Sequence, residues 1–343
     1  MTTRRFHAEY LLDVTRRIFM AVGAPNHIAA DVADILVNAN LTGHDSHGVL
    51  RIPSYLRAIE RGEIVPDAEP VVLREAASAL LVDGRHGFGH YVARWAMVRA
   101  IEKARQADVC CVSLTRLNHI GRLGEYAEQA ARAGCIGIVT SGSAEPGQEP
   151  TVPYGGAKGA LGTNPIAAGV PAGDRPPFIL DYATSVIAVG KIHVAHSRGL
   201  NLPDGCLIDK HGRPSVRPAD YFDGGYLLPS GQHKGYALGL LISLLGGLSG
   251  QFDANRGMME GAFMQVISVA AFLPPADYQR AVGAVIDGVK ATPPAQGFSE
   301  VLTPGEPEQR ARAQRLVEGI EVPETIWQQI AEWAQRIGVS LGA

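Results

Sequence analysis

The chain lacks the markers of several protein classes. Its 343 residues hold only four cysteines, Cys110, Cys111, Cys135 and Cys206, and none stands in C-x-x-C spacing. That excludes a dense disulfide framework and points to free, mostly buried thiols in a cytoplasmic protein. No basic run is present and the formal net charge is -3, so nothing predicts a nucleic-acid surface. The most apolar segment, Tyr236 to Gly250, is too short for a membrane span and is interrupted by glycines. It predicts a buried helix packed closely against a neighbour. Met1 to Arg5 are basic, but no apolar stretch and small-residue cleavage site follow, so secretion is not expected.

Familiar chemical motifs are missing as well. There is no G-x-G-x-x-G between a strand and a helix, no P-loop and no G-x-S-x-G elbow; Gly84, Gly87 and Gly89 stand in the wrong order for the dinucleotide fingerprint. A nucleotide, if bound, is not held in the Rossmann manner. The remaining composition, 46% hydrophobic and 19% charged, is that of a globular chain long enough for two domains or one elaborate one.

Against that background one stretch stands out, His44-Asp45-Ser46-His47-Gly48-Val49-Leu50-Arg51-Ile52-Pro53-Ser54-Tyr55. Each of its polar groups would need a hydrogen-bond partner if buried, so packing alone does not explain the cluster. Pro53 suits the first turn of a helix, which puts Arg51 just before that helix and Tyr55 inside its first turn. His47 falls in the preceding loop, where Gly48 lets the backbone turn. The planar fork of Arg51 suits a substrate carboxylate, and His47 titrates near neutrality, as a proton-transfer group should. A structural loop in which His47 caps, Arg51 pairs and Tyr55 packs uses the same residue types.

The rest of the chain reads in order. Leu11, Val14, Ile18, Phe19 and Val22 predict a helix ending at Gly23, and Ile28 to Leu36 a second after Asn26. Val71–Leu73 and Leu80–Val82 resemble short strands, and Tyr91 to Ala107 a long helix. Val109–Leu114, Leu123–Arg132 and Ile136–Thr140 form the clearest βαβ pattern, with Asn118-His119-Ile120-Gly121 at the carboxyl end of its first strand, where ligands bind in α/β sheets. His119 is therefore a second candidate, with capping or packing as its alternative. Ile166–Val170 and Phe178–Leu180 read as strands. The latter runs into Asp181-Tyr182-Ala183-Thr184-Ser185 and a helical pattern to Ala195, a setting for a ribose or phosphate, or else an N-cap with Asp181 aiding the dipole. Leu200 to Arg217 predicts a surface loop. Lys234 at a helix start invites a negative partner such as a phosphate. Gly261 to Leu273 predicts a long central strand, Tyr278 to Val289 a helix, Ala291 to Gly297 a linker, Thr303 to Glu306 a turn into a charged helix, and Ile326 to Ile337 a closing helix.

Six segments stand in order over roughly residues 40 to 306: Asp45-Ser46-His47-Gly48-Val49 with Arg51 and Pro53-x-Tyr55, Asn118-His119-x-Gly121, Gly162-Thr163-Asn164-Pro165, Asp181-x-Ala183-Thr184-Ser185, Lys234-Gly235 and Pro304-Gly305-Glu306. Together they resemble the malate/L-lactate dehydrogenase family of the non-Rossmann type, which includes sulfolactate and ureidoglycolate dehydrogenases, diketogulonate reductase and cyclic imino acid reductases.

The resemblance implies an α/β fold, a three-layer mixed sheet with helices that binds nicotinamide without a Rossmann domain, behind an N-terminal helical segment. It implies residues 1–120 as the helical, substrate and dimerisation part, 121–275 as the cofactor-binding domain, and 276–343 as helices packing back on the first part. It implies an NAD- or NADP-dependent oxidoreductase moving a hydride between nicotinamide and a small 2-hydroxy or 2-oxo acid, or reducing a cyclic imino acid. The catalytic set would be His47 as proton donor with Arg51, Tyr55 and His119. The cofactor set would be Ser46, Asn164, Asp181, Ala183, Thr184, Ser185, Lys234, Gly235, Pro304, Gly305 and Glu306, with no metal. Arg198 is one candidate contact for a 2′-phosphate. A cytoplasmic homodimer with a small carboxylate substrate is expected, without nucleic-acid or membrane partners. Glu145 and Glu149 add negative charge near the expected pocket, and Ala237 replaces a frequent glycine; both bear on the choice of substrate. A rival class, a hydrolase or lyase holding zinc on His44, His47 and His119, leaves the Thr-Asn-Pro, Asp-x-Ala-Thr-Ser and Lys-Gly segments without a role.

Overall fold

Leu11, Val14, Ile18 and Phe19 recur at helical spacing, and all four lie on the buried face of one helix. In the computed structural model, which describes residues 2–197 and 199–342, that helix is α1 (Ala8–Ala21), preceded by strand β1 (Thr3–Phe6). Helices α2 (Asn26–Leu41) and α3 (Ile52–Glu60) follow. Strands β2 (Val71–Ala76) and β3 (Ala79–Asp83), helix α4 (Gly89–Ala107), strand β4 (Val109–Thr115), helix α5 (Gly124–Arg132) and strand β5 (Cys135–Ala144) come next. Then come β6 (Pro165–Val170), β7 (Phe178–Ala183), α6 (Val189–Ser197), β8 (Leu207–Ile208), β9 (Pro214–Ser215), α7 (Pro218–Phe222), β10 (Tyr226–Leu227) and α8 (His233–Gly246). The last part holds β11 (Gln251–Asp253), β12 (Met258–Ser268), α9 (Pro275–Lys290), α10 (Glu306–Glu318), β13 (Ile320–Pro323) and α11 (Glu324–Arg336).

The main sheet runs β2-β3-β4-β12-β5-β6-β7, with β11 added against β12. Only β3 and β4 pair in parallel; the other neighbours are antiparallel. The predicted βαβ unit is present in modified form. β4 and β5 point the same way, but β12 lies between them and pairs with both, a long-range insertion that local periodicity does not reveal. Alternate residues of β12 divide the layers. Ala262, Met264 and Val266 are buried in the core beneath α4 and α5, whereas Gly261 faces α8 on the other side.

A second core joins the two ends of the chain. β1 pairs with β13, and Ile320, Val322, Trp327 and Ile330 pack among Leu11, Ile18, Phe19, Ile28 and Leu56. Among the described residues, no helix is long and apolar enough to cross a membrane.

Four expectations need correction. The helix expected directly after Asp181–Ser185 begins only at Val189, because β7 continues through Ala183 by pairing with β6, and Thr184 and Ser185 are buried in the connection rather than capping a helix. Leu200 to Arg217 is not simply a surface loop: it carries β8 and β9 and sends Leu202, Cys206 and Leu207 into a small core with Ile192 and Leu227. The apolar helix α8 is buried on one side only, leaving Leu241 and Leu244 each more than half exposed, as is Leu248 in the 3-10 turn that follows it. The central strand ends at Ser268, not Leu273, giving way to a short 3-10 turn.

The buried side of α8 approaches the sheet backbone to backbone. A Cβ on Gly142 would stand 2.6 Å from the Ile242 carbonyl carbon and 2.8 Å from the Ser243 nitrogen. On Gly288 of α9 it would meet nothing within 4 Å. Gly142→Ala should therefore destabilise the protein by about 1–3 kcal/mol. Gly288→Ala should be neutral or stabilising by up to about 1 kcal/mol through helix propensity. Thermal denaturation of the two variants beside the parent measures both, and equal melting temperatures would contradict the close packing of α8.

Candidate active site

The site is built on a loop held by one carboxamide. Asn40, almost fully buried near the end of α2, donates to Asp45 Oδ1 at 2.7 Å and accepts the Val49 N–H at 2.8 Å, bracketing residues 45 to 49. Gly48 is needed for this contact: its φ is -93°, so it makes no left-handed turn, but any Cβ there would collide with the Asn40 carboxamide. His47 accordingly sits in a 3-10 turn, Asp45–His47, rather than in an open loop. Asp45 is also paired with Arg315 of α10 at 2.6 Å. Arg51 directly precedes α3, with Pro53 in the first turn as expected, and its Nε donates to the Ser46 carbonyl at 2.8 Å.

Four aromatic side chains then meet. His47 and His119 stack with ring centroids 5.6 Å apart and planes 20° from parallel. Tyr55 OH lies 2.7 Å from His119 Nδ1 and 3.5 Å from His90 Nε2, while Ser46 Oγ lies 2.9 Å from His47 Nδ1. Burial, aided by the Arg51 guanidinium, lowers His47 to about 4. Burial likewise lowers His90 to about 3 and His119 well below its ordinary value, and holds the Tyr55 phenol above its own. All three imidazoles are neutral at pH 7, so the cluster can donate or accept hydrogen bonds without charge.

Two adjoining cavities share His47, His119, Gly121 and Thr163 in their walls. The larger, about 520 Å³, adds Ser46, Arg51, Arg122, Asp181, Ala183, Ser185 and the first turn of α6 with Gly190 and Lys191. Two guanidiniums, a lysine and a helix N-terminus give it the character of an anion site. The smaller, about 320 Å³, adds Asn118, Ser141, Ser143, Asn164, Gln251 and Glu260.

The other predicted cofactor residues are placed less uniformly. Asp181 faces inward: its Oδ2 accepts the Gly124 N–H at 2.8 Å and lies 3.5 Å from Arg122 Nε. Burial pushes its carboxyl up, opposed by that guanidinium and N–H. Thr184 donates to the Thr163 carbonyl at 3.1 Å and Ser185 to the Ile187 carbonyl at 3.1 Å. Asn164 lines the smaller cavity but uses its carboxamide within the fold, accepting from Ser143 N–H and donating to the Gly239 carbonyl and Ser243 Oγ. Lys234 and Gly235 open α8 away from both cavity walls, with Gly235 packed on the Ser230 backbone. Pro304 accepts the Ile179 N–H at 3.3 Å, Gly305 takes φ 92°, and Glu306 is occupied by Lys290, Thr303 and Arg310. Arg198 lies outside the described residues. His44 turns to Glu308 at 3.3 Å, and among the described residues no group of three or more His, Cys, Asp or Glu side chains is arranged to hold a metal.

The sequence reading missed His90 and Arg122. His90 falls just before the expected start of the helix at Tyr91, whereas α4 begins at Gly89 and carries His90 in its first turn. Arg122 directly follows the Asn118–Gly121 motif, and its near-complete burial against Thr42 and Asp181 has no local signature.

A family model described as malate/L-lactate dehydrogenase matches residues 6–331. Hydroxycarboxylate dehydrogenase B of Escherichia coli is 36% identical over 345 residues, covering 98% of this chain and 95% of that protein. The solved structure of sulfolactate dehydrogenase from Methanocaldococcus jannaschii superposes with a TM-score of 0.90 at 32% identity, over 98% of both chains. That of delta1-piperideine-2-carboxylate reductase from Pseudomonas syringae gives 0.83 at 31% identity, over 97% of this chain and 100% of the other.

The lowered histidines carry a stability consequence. Unfolded histidine binds its proton near pH 6.5, whereas folded His47 waits until about 4 and His90 until about 3. The unfolded state therefore takes protons first, so stability is fully present above about pH 6.5 and is lost as pH falls through that window. His47 alone accounts for a loss on the order of 3 kcal/mol at about 1.4 kcal/mol per unit. Urea denaturation at pH 7.5 and 4.5 should show His47→Gln losing less stability than the parent, and an equal loss would refute the neutral, buried state of that ring.

Proposed function

Because the chain belongs to the malate/L-lactate dehydrogenase family and is an oxidoreductase, we propose that it interconverts a small 2-hydroxy acid and its 2-oxo acid with NAD or NADP, using His47 for the proton. The observation that carries this reading is the stacked His47–His119 pair, which lines two adjoining cavities, with Arg51 in the wall of the larger. A carboxylate on the Arg51 fork would bring the adjacent carbon and its oxygen over the two imidazoles. With Nδ1 on Ser46, His47 has Nε2 left to give or take the proton of that oxygen.

The donor set around the larger cavity fits a nucleotide. The first turn of α6 with Lys191 suits phosphate, and Gly190 keeps the wall open, since a Cβ there would stand 2.8 Å from Ser46 Cβ. Ser46, Ala183 and Ser185 would line the cofactor, with Asp181 and Arg122 stiffening the wall behind them and Asn164 fixing the floor. Thr184, Lys234, Gly235, Pro304, Gly305 and Glu306 would support these segments from outside the cavities. When bound, the nicotinamide supplies or accepts the hydride.

We further propose a cytoplasmic homodimer, with residues 121–275 carrying the cofactor and 276–343 packing back on 1–120. The exposed leucines of α8 and the four free thiols support this. Reduction of a cyclic imino acid is the second reading, favoured by Glu260 in the wall of the smaller cavity and by Glu149 beside Ser143, since an iminium is a cation.

Absorbance of reduced nicotinamide, followed with NADH or NADPH and a panel of 2-oxo acids and cyclic imines, tests the reading. Oxidation by one panel member would fix substrate group and cofactor together; no oxidation and no nucleotide binding would overturn it. His47→Ala should lower turnover by roughly 10²- to 10⁴-fold while nucleotide fluorescence still reports binding. Arg51→Leu should act chiefly on KM for the carboxylate substrate, and unchanged kinetics in both variants would remove these residues from the site.

A further inference from the structure

We infer that His90 is a positioning residue which, through Tyr55, fixes the tautomer of His119, making His119 a permanent hydrogen-bond donor and leaving proton transfer to His47 alone. The inference rests on the hydride-transfer reading above and deepens it.

The argument starts from a buried chain of three polar groups. Tyr55 OH has one proton to give and faces two imidazole nitrogens, His119 Nδ1 at 2.7 Å and His90 Nε2 at 3.5 Å. Two polarities give the phenol O–H an acceptor; the third arrangement, in which both imidazoles donate to Tyr55, would strand that buried O–H. In one, His119 Nδ1–H donates to Tyr55 and Tyr55 donates to His90; a neutral His90 would then carry its proton on Nδ1, a fully buried atom without a partner. In the other, His90 Nε2–H donates to Tyr55, and Tyr55 gives its proton to His119 Nδ1. The second gives the O–H donor the shorter bond and leaves His90 Nδ1 a bare acceptor rather than a stranded donor. It also leaves His119 protonated on Nε2, the one ring nitrogen remaining for the cavities that His119 lines.

The backbone around His90 is shaped for this contact. Gly89 brings the start of α4 against the 118–119 peptide, where a Cβ would stand 2.6 Å from the His119 carbonyl oxygen. Gly121, at φ +73°, leaves room for the ring, since a Cβ there would stand 2.8 Å from His90 Nε2. In the first turn of a 19-residue helix, an imidazolium would also oppose the helix dipole, which favours a neutral ring.

His47 is held differently. Its Nδ1 meets the Ser46 hydroxyl at 2.9 Å, and a hydroxyl rotates to donate or to accept. His47 can therefore change protonation state without losing that bond, whereas Tyr55, engaged on both sides, allows His119 no such change. In reduction, a hydride supplied by reduced nicotinamide would add to the carbonyl carbon, the C=O π pair would move to oxygen, and that oxygen would take the extra proton that His47 binds once a carboxylate is seated on Arg51, returning His47 to its neutral form while His119 Nε2–H steadies the developing charge.

Nitrogen-15 spectra of histidine-labelled, ligand-free protein test the assignment independently of any activity. The parent should show His119 protonated on Nε2. His90→Leu should give a mixture of tautomers, and His90→Gln, which restores a donor near Nε2, should recover the parent pattern. With the panel substrate, His90→Leu should lower kcat about tenfold, as loss of an outer hydrogen-bond partner does, with KM little changed, and His90→Gln should restore it. If His90→Leu does not fold, Tyr55→Phe breaks the same link and should give the same mixture. His119 protonated on Nδ1 in the parent, or a tautomer unmoved by both variants, overturns the inference while leaving the dehydrogenase reading intact. An inactive protein with the expected tautomers would overturn that reading and keep the relay.

Discussion

The Asn40 carboxamide is the constraint on which the site depends. It closes the Asp45–Val49 segment with two hydrogen bonds from a residue that is itself 2% exposed, and both bonds run to the stretch that bears His47. Because a buried amide that lost either partner would be left with an unmet polar atom, the loop has little freedom to rearrange. Arg315 ties Asp45 to α10 from the other side, and Arg51 reaches back to the Ser46 carbonyl. A 3-10 turn that would otherwise fray is thus fixed by the first third and the last fifth of the chain acting together.

The sheet supplies the opposite wall by a different device. Strand β12 enters between β4 and β5, which sets the 118–123 connection after β4 and the Ser141–Ser143 end of β5 on either side of one strand. Asn164, at φ 41°, then joins β5 and β6 to α8 with three hydrogen bonds from one side chain. A non-glycine residue in that backbone region is uncommon and is tolerated here because all three bonds hold it. The cavity floor is therefore rigid for reasons unrelated to ligand contact.

Much of this was legible in the sequence, and the boundary of legibility has a physical cause. Helix and strand periodicity located α1, α2, α4 and α5 and seven of the eight strands of the main sheet, since those signals are local. Pro53 placed Arg51 and Tyr55 correctly about the start of α3, because proline restricts its own backbone. What periodicity does not carry is pairing over long separation: the insertion of β12, the extension of β7 through Ala183 and the half-exposed face of α8 all depend on neighbours distant in sequence. The same holds in the site. His47, Arg51 and His119 sit in dense polar motifs, whereas His90 lies in a stretch that reads as an ordinary helix start. Its environment is made by Tyr55, Gly121 and His119, 29 to 35 positions away.

The electrostatics explain why a neutral imidazole cluster stands beside so many cations. Burial is the first cause of the lowered His47 value and the Arg51 guanidinium the second. An anion seated on Arg51 removes only the second, yet in a desolvated site that contribution is worth far more than in water. The proton affinity of His47 therefore rises when a carboxylate arrives and falls when it leaves. A ligand-free site holding a neutral base suits abstraction of a hydroxyl proton. In the proposed reaction the occupied site would move that base toward the value at which it can also return the proton, so the charge of the substrate itself would set how readily the reaction runs in either direction.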